Sequence, residues 1–120
     1  MNTKLNQILA EISAGELLDK ITILEIKKEK INNKEKLEDI NKELSSLSKT
    51  SNEKIPDKSR VKNLILNLKN INLKLWDIEE GKRQAEKNQK FDEDFIKLSR
   101  DVYKTNDERA KIKFKINEIL

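Results

Sequence analysis

The chain of 120 residues carries 26 basic side chains, and only four of them are arginine: Arg60, Arg83, Arg100 and Arg109. A guanidinium offers a planar fork that grips a carboxylate or phosphate with two parallel hydrogen bonds, which a lysine ammonium cannot do. In so lysine-rich a chain, the arginines mark where such bonding is needed. Trp76, Glu79 and Arg83 are spaced three and four apart, one stripe on a helix. Tyr103, Asn106 and Lys113 form a second stripe, beside the core-phase Thr105 and Arg109. Residues facing each other across a helical hairpin have numbers with a constant sum, about 180 for the second turn and about 107 for the first. That register sets Trp76 near Lys104, Arg83 near Lys97 and Glu25 near Lys82. One cross-section then gathers Glu25, Trp76, Glu79, Arg83, Arg100, Tyr103 and Asn106. As a ligand site, Arg83, Arg100 and Arg109 would hold a carboxylate or phosphate against a stacking wall of Trp76 and Tyr103. As structure, the aromatics pack at the bundle edge, the Glu–Arg pairs are inter-helix salt bridges, and Arg109 fixes register. Glu79 and Glu80 form no acid–base dyad, because neighbours on a helix point about 100° apart.

Other chemistries are closed by composition. The chain has no His and no Cys, which removes Ser-His-Asp and Cys-His mechanisms, disulfides and thiolate metal sites. Zinc would have carboxylates alone, so no metal or cofactor is expected. The net charge of +4 comes from 26 basic against 22 acidic residues, interspersed throughout. The densest basic stretch, Lys111, Lys113 and Lys115, spreads around a helix, so nucleic acid is not the expected partner. No run approaches the roughly 18 apolar residues of a membrane span, and MNTKLNQILAEI lacks the layout of a signal peptide. The chain reads as a single soluble, cytoplasmic domain over 1–120.

Hydrophobic spacing supplies the elements that must position these residues. Ser13-Ala14-Gly15-Glu16 has the form of a capping box and opens a first helix, read as one long element over 14–48. Its core stripe is Leu17, Ile21, Leu24 and Ile31, then Leu37, Ile40, Leu44 and Leu47. The two halves are out of step across Asn32-Asn33, which a stammer or a brief break would explain. A linker over 49–58 contains the one proline, Pro56. A second helix over 59–88 holds the best heptad, with Val61, Leu68 and Leu75 at one position and Leu64, Ile71 and Ile78 at the other. A third, over 92–119, starts among Asp92, Glu93 and Asp94 and buries Phe95, Leu98, Val102, Thr105, Arg109, Ile112, Ile116 and Ile119. The expected fold is all-α, an antiparallel bundle of three long helices with coiled-coil-like packing. Ile12, Ile23, Ile26, Ile96 and Phe114 lie off these stripes. Either the N-terminal segment, as a short helix or a strap bearing Leu5, Ile8, Leu9 and Ile12, covers them, or Ile12, Ile23, Ile26 and Phe114 are a self-association face.

The segments ISAGELLDKITILEIKKEKI (12–31), LWDIEEGKRQAE (75–86) and FIKLSRDVYKTNDERAKIKFKIN (95–117) resemble an uncharacterised family of short bacterial proteins of unknown function. The resemblance implies an association with surface-polysaccharide and glycosyltransferase gene neighbourhoods. It maps recurring polar positions onto Gly15, Glu16, Asp19, Lys20, Glu25, Lys27, Trp76, Glu79, Arg100, Tyr103, Asn106, Asp107 and Arg109, and it imports no reaction. The all-helical chorismate mutase fold is a weaker likeness, since this chain has no arginine before Asn52. The leading expectation is a non-enzymatic helical interaction or accessory module, homodimeric and with a protein partner, linked by the resemblance to cell-surface glycan synthesis. The alternative is a protein or enzyme that binds an anionic sugar phosphate or nucleotide sugar through the Arg/Trp/Tyr cross-section.

Overall fold

The computed structural model describes residues 8–120, which hold four α-helices and no strand. The helices are α1 (Ala14–Lys30), α2 (Lys34–Lys54), α3 (Lys62–Lys87) and α4 (Glu93–Ile119), with a 3-10 turn at Ser59–Val61. Ser13 caps α1 by accepting a hydrogen bond from the Glu16 N–H at 3.1 Å. The other half of the capping box is absent, because the Glu16 carboxylate turns away to Lys113 on α4.

The first long helix is in fact two. Ile31 is extended, and the Asn33 side chain accepts from the Lys36 N–H at 3.1 Å to start α2. Asparagine caps well because its short amide competes for backbone groups, so the phase slip in the sequence is resolved by a break. The linker is correspondingly shorter than 49–58. Helix α2 continues through Lys54 and stops where Pro56 bars the helical conformation at Ile55. The Lys58 ammonium closes this end, donating to the carbonyl of Ile55 at 2.7 Å.

The break changes the topology. Gly15, Glu16 and Asp19 on α1 meet Asn117, Lys113 and Arg109 on α4, so these two helices are antiparallel. The α3–α4 hairpin is antiparallel too, with Gly81 against Leu98. Helices α1 and α3 therefore run in the same direction, and the chain goes up, down, up, down. Helix α2 lies along α1; it buries Ile40 and meets the central cluster through Leu47 and, just past its end, Ile55.

Helix α1 is central and touches the other three helices. Leu17 and Leu18 join Val61, Leu68 and Ile116 in the core. Each such side chain contributes about 1.5–3 kcal/mol when fully buried. A second stripe, Gly15, Asp19, Thr22 and Ile26 at spacings of 4, 3 and 4, is equally buried. That stripe faces α3 and α4. Ile26 is only 2% exposed, so it belongs to the interior and not to a free face. The strap reading also changes: residues 8–13 are non-helical and Leu9 is 95% exposed, while Leu5 lies outside the described residues.

Candidate functional site

Where α1 crosses the α3–α4 hairpin, a polar cluster is locked between the helices. Asp19 is fully buried. Its carboxylate accepts from Arg109 Nε at 2.9 Å and from Asn72 Nδ2 at 2.9 Å, and is held by a second arginine bond through Nη2. Lys113 Nζ stands 3.6 Å away. Thr22 completes the cluster: its hydroxyl donates to the Asp19 carbonyl at 2.8 Å and accepts from the Asn72 amide at 2.9 Å. Arg109 spends a further N–H on Asn106 Oδ1 at 3.3 Å.

Electrostatics fixes the charge state. Burial by itself would raise the Asp19 pKa, but the hydrogen bonds from Arg109 and Asn72 and the charges of Arg109 and Lys113 outweigh it and hold the carboxyl below its ordinary range. The Asp19 hydrogen bond likewise raises the pKa of Arg109, against the effect of its partial burial. Both groups are ionised and mutually neutralised. An aspartate so placed is a poor general base, since its proton affinity is lowered and its lone pairs are occupied.

The sequence-derived constellation divides around this latch. Trp76, Glu79 and Arg83 do share a hollow of about 210 Å³ with Arg109, and Ile23, Ile26 and Lys27 form its other side. Asn106 joins only through its bond to Arg109. Arg83 is exposed and bonds Glu80 one turn away at 3.1 Å. Glu25 does not approach Lys82, because α1 and α3 are parallel; it lies instead beside Lys28, Leu44 and Lys69. Arg100 lines a different hollow with Lys97, Asp101 and Lys104. Tyr103 and Asp107 are exposed on α4, as is Phe114 at 64%. Of the three arginines expected to converge, Arg83 and Arg109 share one hollow and Arg100 lies in another.

Asn72 and Thr22 were missed by the reading of the residues. Asn72 falls beside the α3 heptad, which runs Leu68, Ile71 and Leu75 without a break, so hydrophobic spacing gave no sign of it. Gly15 did carry a signal, its place before the first apolar run. A Cβ there would stand 2.5 Å from the Lys113 carbonyl, so glycine is what lets α1 and α4 approach and the Gly15 N–H reach Asn117 Oδ1 at 2.7 Å.

The chain belongs to a family of unknown function (DUF6165), whose model matches residues 8–119. No curated protein and no solved structure matches the chain.

Proposed function

We propose that the chain is a non-enzymatic helical interaction module that pairs with a second copy of itself along the solvent face of α4. The observation that carries this reading is a line of apolar side chains opposite the core. Ile96, Tyr103 and Phe114, each more than half exposed, are spaced 7 and 11 apart and so lie one above another on α4. Arg100, Asp107 and Ala110 fill the line between them. Turned end over end on a second copy, the line complements itself. Ile96 meets the partner's Phe114, and Arg100 comes beside the partner's Asp107, an apolar contact at each end with paired charges between. This face takes the place of Ile23 and Ile26 as the self-association surface; Ile12 precedes α1, whose first residues pack on the Lys113–Asn117 end of α4.

Light scattering behind size exclusion tests the proposal. The wild type is expected as a dimer, and Tyr103→Glu with Phe114→Glu as a monomer of unchanged helicity. A monomeric wild type at high micromolar concentration would overturn the reading, as would a double variant that stays dimeric.

The Trp76 hollow favours the alternative of an anionic sugar ligand, since an indole wall stands beside Lys27 and Arg83. Against it, Arg109 and Arg83 are each already bonded to a carboxylate. A thermal shift with a nucleotide sugar, lost in Trp76→Ala, would turn the balance toward that ligand.

A further inference from the structure

A second hollow, of about 200 Å³, opens between α1, α2 and the start of α3. It exists because Ser51 occupies the position where the core stripe of α2, running Ile40, Leu44 and Leu47, next calls for an apolar side chain. Ser51 is 2% exposed, and its hydroxyl finds no hydrogen-bond partner among the described residues. Helical serines and threonines commonly bond back to the preceding turn, as Thr50 does to the Ser46 carbonyl at 3.2 Å. A buried hydroxyl left without a partner calls for an occupant of the space beside it.

The lining selects the occupant. Leu18, Ile21 and Ile65 form an apolar side, while Ser48, Asn52 and Glu25 stand with Ser51 on the polar side. The cation present, Lys58, directs its ammonium to the carbonyls of Ile55 and Ser51 and to Asn52 Oδ1, which accounts for its three protons. The Thr22 hydroxyl is likewise bonded to Asp19 and Asn72. What faces the space is therefore hydroxyls, an amide and a carboxylate, with no ammonium or guanidinium left to meet an anion. The volume equals that of about seven waters. A small molecule bearing several hydroxyls on a carbon frame would replace those waters bond for bond and lay its C–H surface on the aliphatic side.

We infer that this hollow is a binding site for a small neutral polyol, held by Ser51, Ser48, Asn52 and Glu25. The site is separate from the α4 face and does not depend on self-association. Amide-resolved NMR titration of the full chain with myo-inositol, run beside inorganic phosphate, tests it. Saturable shifts are expected with myo-inositol at Leu18–Glu25 and Ser48–Asn52, and none with phosphate. Ser51→Leu fills the hollow and should abolish those shifts. Ser51→Ala, which keeps the fold with the least change, should weaken binding by up to about tenfold. The absence of saturable shifts with myo-inositol would show a hollow holding water only and overturn the inference. Shifts that survive in both variants, or stronger binding of phosphate, would overturn it too.

Discussion

At its base the α3–α4 hairpin is covered by a third helix, and toward its tip it is not. At the base, Val61, Leu68 and Ile116 are fully buried, and the Asp19 latch sits between α1, α3 and α4. Toward the tip, no residue from Glu79 to Lys104 is buried. The tip is held by Leu98 lying on Gly81, by Phe95 meeting Phe91 edge to face at 5.2 Å, and by an exposed Arg83–Glu80 pair. The same hairpin therefore has one end where shape and charge must match a neighbour and another where almost any helical residue would serve. Helix α1 makes the difference, and its two buried faces explain why it can. One is apolar and read by hydropathy; the other is the Gly15, Asp19, Thr22 and Ile26 line, which recognises α3 and α4 by hydrogen bonds.

The difference between the two ends depends most directly on Asp19. Asp19→Ala leaves the buried Asn72 and the half-buried Arg109 without their acceptor and should cost about 3 kcal/mol in urea unfolding. Replacing both charges, Asp19→Leu with Arg109→Met, should recover most of that loss, because the desolvation penalty disappears with the charges. A loss below about 1 kcal/mol for the alanine variant would mean the latch adds nothing that the apolar core does not.

The same carboxylate ties the base to pH. Its pKa is lower in the folded chain than the ordinary value of 3.8, so the folded state binds its proton less readily than the unfolded state. The resulting stabilisation is fully present above the unfolded value and is lost as pH falls through the folded one. Urea midpoints measured from about pH 6 to about pH 2 should fall below about pH 4 in the wild type. Asp19→Asn should flatten that part of the curve, and parallel curves for the two proteins would place the acid sensitivity elsewhere.

Gly15→Ala tests shape instead of charge. The new Cβ collides with the Lys113 backbone carbonyl, which can move only if α1 or α4 shifts, at a cost of about 1–3 kcal/mol. The shift should also lengthen the Gly15–Asn117 bond, visible as faster hydrogen exchange at the Gly15 amide.

The helices were legible where their stabilisation is apolar. The heptad from Val61 to Ile78 and the acidic start of α4 stand in the sequence much as they do in the fold, because burial of spaced leucines and isoleucines produces both. The break at Asn33 was visible only as a slip in phase, since a one-residue cap leaves no wider mark. Reading through it made α1 antiparallel to α3 and carried Glu25 toward Lys82. The candidate site was harder to read for a different reason. Asp19 came from the family resemblance and Arg109 from a polar break in the core stripe of α4, but nothing in spacing says that one bonds the other across 90 residues. Asn72 and Thr22 follow from that pairing and from nothing earlier in the chain.

Gly81→Ala repeats the glycine test at the uncovered end, and its sign should reverse. Gly81 lies inside α3, where glycine is disfavoured against alanine by about 0.5–1 kcal/mol, because it loses more backbone freedom on folding. The added Cβ meets Leu98 Cδ1 at 3.1 Å. That atom is the far end of a flexible side chain beside solvent, and a small rotation of Leu98 relieves the contact. The substitution should therefore stabilise the chain by up to about 1 kcal/mol, or leave it unchanged, while Gly15→Ala destabilises it. Thermal unfolding of the two variants in parallel measures the contrast. If Gly81→Ala destabilises as much as Gly15→Ala, the tip is packed as tightly as the base, and the division of the hairpin drawn from burial is wrong.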